Sequence, residues 1–343
     1  MSFSVVIVGI GNRGRMWAET CTHSGAAQVV AAVDPSDTAR ADFAQRWPEI
    51  PLFPDMTMAL NATRCDAVIL VTPPDLHLAQ AREIFGRGLP ILAEKPLTLD
   101  LAEATEIVAL GERSGLALSI SVNFRFLPVT AAYKALVAGK TMGEPGFGHF
   151  SYIRNRDGWE PRLNKYPLTM WHPMMLEQSI HHLDLMRHVY AREVETITCR
   201  TWNPGWSMYA HDSNVHALLR FVGGMEANYF GTWTSGWNQA EFRWRTDCSA
   251  GVIIQKELYS DLFTARMADT ELTPVALPPA RAFIDDSEAL LRDFIRAVKG
   301  GGAVPCDGAD HLRTLALCFA GIESAATGQA VDVATFQARH GIA

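Results

Sequence analysis

No apolar run in this 343-residue chain approaches the ~18–20 residues that a membrane-spanning helix needs. Its six cysteines stand alone at 21, 65, 199, 248, 306 and 318, with no C-x-x-C pair. That spacing suggests neither a zinc site nor a disulfide framework, and scattered thiols fit a reducing compartment. Positive charge is not in excess either: the formal net charge is −7, which disfavours nucleic acid or an anionic membrane as the partner. Internal repeats and low-complexity segments are missing. The apolar stretch 3–8 meets a glycine loop at once, so it reads as a first strand and not as a secretion signal. A cytoplasmic protein with neither nucleic acid nor membrane as partner is therefore expected.

The length fits two domains. Over the first 122 residues, β-rich apolar runs at 4–8, 29–33, 67–71, 91–93 and 118–122 alternate with stretches of three-and-four apolar spacing. Continuous apolar strands separated by crossover helices imply a doubly wound parallel α/β sheet. Asp100 with Glu103 marks a helix start, and Gly115 a helix end. After about Asn123 the pattern changes. Helical periodicity covers 128–138, and 173–190 reads as one amphipathic helix. Five β-runs follow at 197–202, 215–221, 227–233, 242–244 and 252–254 without intervening helices, which indicates an antiparallel or mixed sheet. Two helices, near 287–299 and 309–327, close the chain. The expected architecture is α/β: a doubly wound domain over 1–123, then an α+β domain over 124–343.

Gly9-Ile-Gly11-Asn12-Arg13-Gly14 places G-x-G-x-x-G after a strand and before a helix. In that context the glycines permit a tight turn, close approach to a pyrophosphate and close helix–strand packing. The helix N-terminus offers free N–H groups to phosphate oxygens. The second strand ends at Asp34, a carboxylate suited to the ribose hydroxyls of NAD and repulsive to the 2′-phosphate of NADP. NAD is the expected cofactor, with NADP as the alternative should Arg13 or Arg40 reach a 2′-phosphate. Two more strand-end loops line the same edge. Thr72-Pro73-Pro74-Asp75-Leu76-His77 also reads as a plain strand-to-helix turn capped by Asp75. Glu94-Lys95-Pro96 would aim a lysine into the crevice.

With these motifs, and with Asn123-Phe-Arg125-Phe126 and Glu177-Gln-Ser-Ile-His181-His-Leu-Asp184 further on, the chain resembles the glucose–fructose oxidoreductase/inositol dehydrogenase family. The resemblance covers most of the chain, and Glu-Lys-Pro is its most specific element. It implies a Rossmann domain followed by a domain with a large, mostly antiparallel open sheet, NAD or NADP, a sugar, polyol or sugar derivative as substrate, and homodimers or homotetramers built through the open sheet face. It places Gly9, Gly11, Asn12, Arg13, Gly14, Asp34, Thr72, Pro73, His77, Glu94 and Lys95 at the dinucleotide. Lys95, His181 and Glu177 match the catalytic positions, although Glu177 stands where aspartate is more usual. Lys95, Asn123, Arg125, Arg154, Trp159, Trp171, Glu177 and His181 fall to the substrate.

Glu177, His181, Asp184 and His188 recur at i, i+4, i+7 and i+11, one stripe of a helix. Such a stripe faces either solvent or a polar cavity. A carbinol carbon releases hydride only as its hydroxyl proton departs, and histidine has the intrinsic pKa to take that proton near neutrality. Lysine can stabilise the developing alkoxide. Seven of nine tryptophans lie beyond residue 150; Trp159 and Trp171 precede the stripe and offer flat faces to a sugar ring. Arg154, Arg156 and Arg162 suit either an anionic group or a solvated strand face. Trp202, Trp233 and Trp244 give the second domain an apolar sheet face that self-association would bury.

Three other functions use the same residues. A glycoside hydrolase could oxidise and re-reduce its substrate on bound NAD without net redox change. A metal hydrolase or isomerase could assemble Glu177, His181, Asp184 and His211 or His216 around a divalent ion, although no metal is expected. A dinucleotide sensor would need no proton-transfer groups.

Overall fold

The computed structural model describes residues 2–156 and 165–342. The chain forms two compact units, Met1–Phe126 with Arg281–Leu312, and Leu127–Ala280 with Arg313–Ala343.

The first unit is built on six parallel strands: β1 (Phe3–Val8), β2 (Ala27–Val33), β3 (Leu52–Phe53), β4 (Ala67–Leu70), β5 (Ile91–Ala93) and β6 (Leu118–Ile120). Their order is β3-β2-β1-β4-β5-β6, the doubly wound arrangement whose direction reverses between β1 and β4. The central strands are apolar at nearly every position because helices cover both faces: Val5, Val6, Ile7, Val68 and Ile69 are fully buried. The two-residue edge strand β3 is too short to leave a periodic signal. Asp100 caps helix Leu101–Ser114, accepting from the Ala102 and Glu103 N–H groups, and Gly115 ends the helix in the left-handed region. The sequence expectation holds there.

The expected boundary at 123/124 differs from this division. Residues 281–312 return to the first unit, where helix Asp285–Val298 buries Leu290, Leu291, Phe294 and Ile295 in the same core as Trp17 and Phe43. Asn123 donates to Asp286, and Arg125 pairs with Asp310 at 2.6 Å.

The second unit carries β7 (Pro145–Ile153), β8 (Val194–Trp202), β9 (Asn214–Phe221), β10 (Glu226–Thr232), β11 (Glu241–Cys248), β12 (Gly251–Gln255), β13 (Phe263–Arg266), β14 (Thr273–Pro274) and β15 (Val331–Asp332). They form one sheet in the order β14-β13-β12-β11-β7-β10-β9-β8-β15. Among the described residues β7 and β10 pair in parallel, and the other neighbours pair antiparallel.

One sheet face is covered and strongly aromatic. Trp244 packs 4.4 Å from Tyr133 and donates to Tyr190 at 2.9 Å. This corrects the expectation for the open face: Trp244 and Trp233 are buried, and Trp202 alone of the three is exposed. The open face instead exposes Phe147 and Leu218. A polar ladder lies beside them, with His216 bonded to Asn228 at 2.8 Å and Asn228 to His149 at 3.1 Å.

The segment expected as one amphipathic helix is also different. Met174–Ser179 forms a π-turn and Ile180–Tyr190 an α-helix. Nearly every side is buried, His182 and Asp184 included, while Glu177, Gln178 and His188 are half-buried. Single π-turns within helices recur at functional sites.

Candidate active site

The glycine loop follows β1. Gly9 has φ of 93°, and a Cβ there would sit 2.7 Å from the Val71 carbonyl oxygen. A Cβ on Gly14 would come within 2.0 Å of the Gly9 carbonyl oxygen. Both positions therefore exclude a side chain. At Gly11 a Cβ would meet no described atom within 4 Å, so the backbone faces open space at the point where a pyrophosphate would approach. Helix Asn12–Ser24 starts there with no described side chain capping it and no acidic residue in its first turn. The N–H groups of its first turn and its positive dipole end suit phosphate oxygens. Asp34 follows β2; its carboxylate accepts from Ile10 N–H at 3.1 Å and Ser36 N–H at 3.0 Å, which fixes it beside the glycine loop. Arg40 donates to the Asp34 carbonyl oxygen and to Asp37.

Three expected cofactor residues turn inward. Arg13 Nε donates to Glu94 Oε1 at 2.7 Å, and Trp17 Nε1 donates to the same oxygen at 2.7 Å. Arg13 also reaches Ser121 at 3.2 Å and Ser287 at 3.3 Å, with its guanidinium over the Trp17 and Phe283 rings. His77 is buried between two loops, Nδ1 at 2.8 Å from the Leu97 carbonyl oxygen and Nε2 at 2.9 Å from that of Thr72. The side chains of Arg13, Glu94 and His77 thus join loops to one another. Neighbouring Asn12 and Pro73 are exposed, Thr72 and Lys95 half-buried. Thr72 donates its hydroxyl to Gln80 at 2.5 Å. The Lys95–Pro96 peptide is cis. The expected substrate residues Asn123 and Arg125 bind Asp286 and Asp310, as described above.

In the second unit, the π-turn carries Glu177 and the following α-helix His181. The Glu177 carboxylate accepts from the Tyr166 hydroxyl, a partner that sequence spacing gives no way to find. His181 is 8% exposed. The next residue, His182, is fully buried, with Nδ1 2.9 Å from the Tyr229 hydroxyl and Nε2 3.1 Å from Gln178. Burial pushes its pKa down to about 3, so it is a neutral structural group. Tyr229 in turn donates to Ser179 at 2.7 Å, tying the π-turn to β10.

Asp184 accepts from Thr314 at 3.1 Å, and Arg187 donates to Thr314 and, through two nitrogens, to Glu193. Of the stripe, Asp184 is thus tied into this buried network through Thr314. His216 lies on the open sheet face with Asn228, away from this helix, so it cannot join Glu177 and His181 around one ion. Trp171 is 41% exposed and stacks edge-on to His172. The Arg154 main-chain N–H pairs with Thr232 in the β10 ladder, while Arg156 lies 4.4 Å over the Trp233 ring. Trp159 and Arg162 lie outside the described residues.

Residues 3–122 match the model of an oxidoreductase family with an NAD-binding Rossmann fold, and residues 130–254 match the GFO/IDH/MocA C-terminal domain. The chain belongs to the GFO/IDH/MocA oxidoreductase family. It is 26% identical over 353 residues to inositol 2-dehydrogenase of Mycolicibacterium smegmatis, covering 96% of this chain and 95% of that one. It is 23% identical over 337 residues to 1,5-anhydro-D-fructose reductase of Ensifer adhaerens, covering 96% and 98%. The crystal structure of an inositol dehydrogenase homologue from Azotobacter vinelandii, complexed with NADH and myo-inositol, superposes with a TM-score of 0.83 at 15% identity, covering 97% and 98% of the two chains. The first unit is thus an NAD-binding Rossmann domain, and the protein is an NAD(P)-dependent oxidoreductase. Among the described residues no helix is long and apolar enough to cross a membrane.

Proposed function

We propose that the protein is a cytoplasmic NAD-dependent dehydrogenase that interconverts a carbinol and a carbonyl on a sugar, polyol or sugar derivative. The observation that carries this reading is the glycine cradle joined to Asp34 and followed, two strands further along the sheet, by Lys95. NAD, when bound, would supply the hydride acceptor for this chemistry. The helix N-terminus after Gly11 would hold the pyrophosphate, and Asp34 would accept from the adenosine ribose hydroxyls, which favours NAD over NADP. Lys95 donates a hydrogen bond to the reacting oxygen and stabilises negative charge there. His181 takes the hydroxyl proton. Glu177, held by Tyr166, orients the imidazole; the Tyr166 contact supports that role for the longer glutamate side chain. Trp171, with its exposed ring, and Arg154 are proposed substrate contacts.

The relatives named above act on inositol and anhydrofructose, which supports a cyclic polyhydroxylated substrate. The test is a panel of myo-inositol, 1,5-anhydro-D-fructose, aldoses and glycosides, run with NAD or NADP in the oxidised or reduced form. Nicotinamide absorbance is followed alongside product analysis. Stoichiometric NADH formation with a polyol or sugar supports the proposal. Cleavage of a glycoside without accumulation of NADH overturns it in favour of the hydrolase.

We further propose a homodimer or homotetramer formed through the open face of the second sheet. Phe147, Leu218 and Trp202, all exposed there, form the apolar part of that surface.

A further inference from the structure

Lys95 sits on a short loop whose next turn contains Leu97, a residue 1% exposed. Both main-chain groups of Leu97 meet imidazoles. Its carbonyl oxygen lies 2.8 Å from His77 Nδ1, and its N–H donates to His311 Nε2 at 3.3 Å. His77 and His311 are themselves 1% exposed, and all three residues lie in the first unit. His311 must accept at Nε2, which requires a neutral ring with its proton on Nδ1. His77 faces two carbonyl oxygens but, if neutral, can donate to only one. Burial lowers its pKa, opposed by the two carbonyls and by Glu94 and Asp75 nearby, so the ring carries a single proton at neutral pH. The Leu97 bond is buried, whereas the Thr72 bond is partly open to solvent. An unsatisfied carbonyl costs more where water cannot replace the donor, so the proton belongs on Nδ1, toward Leu97.

We propose that His77 and His311 are positioning residues that clamp Leu97 from both sides and so fix the loop that presents the Lys95 amine. This rests on the reading of Lys95 as a group at the reacting oxygen. The clamp joins segments far apart in the chain: His77 and Leu97 are 20 residues apart, Leu97 and His311 214. Helix packing alone would not require donors and acceptors in this sense. An apolar side chain would fill either position but leave a buried main-chain group without its partner.

The test uses the full-length protein and four variants. The Asn amide nitrogen stands near the place of Nδ1 and that of Gln near Nε2. His77→Asn therefore keeps the bond to Leu97, while His77→Gln withdraws that donor and offers one to the Thr72 carbonyl instead. His311→Gln retains an acceptor, and His311→Leu removes it. Deuterium exchange at the Leu97 amide is followed by mass spectrometry, and the rate of Lys95 acetylation by acetic anhydride is measured in parallel. In His77→Gln and His311→Leu, exchange at Leu97 should rise roughly tenfold, the effect of one lost hydrogen bond, and Lys95 acetylation should change several-fold. His77→Asn and His311→Gln should stay within about twofold of wild type. The Glu94 amide, which donates to the Leu70 carbonyl oxygen at 2.9 Å, should remain protected in all four and report an intact sheet. Equal behaviour of the four variants, or loss of Glu94 protection along with Leu97, overturns the clamp. Both readouts are independent of turnover. A Lys95→Ala enzyme that keeps its activity would overturn the dehydrogenase mechanism while leaving the clamp result as it stands.

Discussion

Arg13 and Glu94 meet at 2.7 Å, and that pair joins the glycine loop after β1 to the lysine loop after β5. The two loops are thereby held in one arrangement before any ligand arrives. Because Trp17 shares the same carboxylate oxygen, Glu94→Ala strands two donors at once. Leaving partly buried donors unpaired costs about 2–4 kcal/mol. A fall in urea midpoint of corresponding size, with weaker NAD binding, is the expected outcome of equilibrium unfolding and titration. An Ala variant as stable as wild type would show that the pair contributes nothing.

Asp34 should set cofactor preference. Removing its charge in Asp34→Ala takes away the repulsion toward a 2′-phosphate, and Arg40 is already bonded to the Asp34 carbonyl oxygen. The gap between NAD and NADP should narrow, chiefly through better NADP binding. Dissociation constants for both cofactors measure it; a wild-type protein that binds NADP more tightly than NAD would refute the assignment.

Lys95→Ala and His181→Ala should each reduce turnover by roughly 10²–10⁴-fold, the usual contribution of a general acid–base group. NAD affinity should change little, since neither side chain is assigned to the phosphates. Tyr166→Phe should give a smaller loss, because Glu177 remains and lacks only its hydroxyl partner. Steady-state kinetics with the best substrate of the panel, beside NAD titration, separates these outcomes.

His182 should make the fold acid-sensitive. Its folded pKa of about 3 lies below the ordinary value of 6.5, so below pH 6.5 the unfolded chain binds the extra proton. This contribution is fully present above 6.5 and falls away toward pH 3, by about 1.4 kcal/mol per pH unit. His182→Gln removes the titrating group and should flatten the decline in unfolding free energy between pH 6.5 and 4.5. A wild-type slope in that variant would assign the acid sensitivity elsewhere.

Phe147→Glu and Leu218→Glu place charges on the open sheet face without touching the covered core. If copies of the chain pair through that face, the double variant should scatter light as a monomer at micromolar concentration while wild type gives a dimer or tetramer. A wild-type monomer would remove the interface.

Much of this molecule is legible along the chain. Apolar runs of strand length, three-and-four spacing between them, Asp100 with Gly115, and the glycine loop before Asp34 are all local signals. Each depends on neighbours within a few residues, and the parallel sheet and its cofactor cradle follow from them. The side chains proposed to act toward ligands at strand ends, Asp34 and Lys95, stand in equally local motifs.

Tertiary structure decided the rest. The return of 281–312 to the first unit rests on contacts such as Asn123 with Asp286, 163 residues apart, and Arg13 with Ser287, 274 apart. No periodicity encodes such partners. Likewise, alternation along β11 places Trp244 opposite its neighbours but does not say which face the helices cover; packing against Tyr133 and Tyr190 does. His77 and Glu94 belong to motifs expected to face the cofactor, yet their side chains turn inward, because a buried polar group takes the partner that closing the chain supplies. Local sequence thus determined the elements and the dinucleotide loop, and the long-range closure of the chain decided which polar side chains are left to meet a ligand.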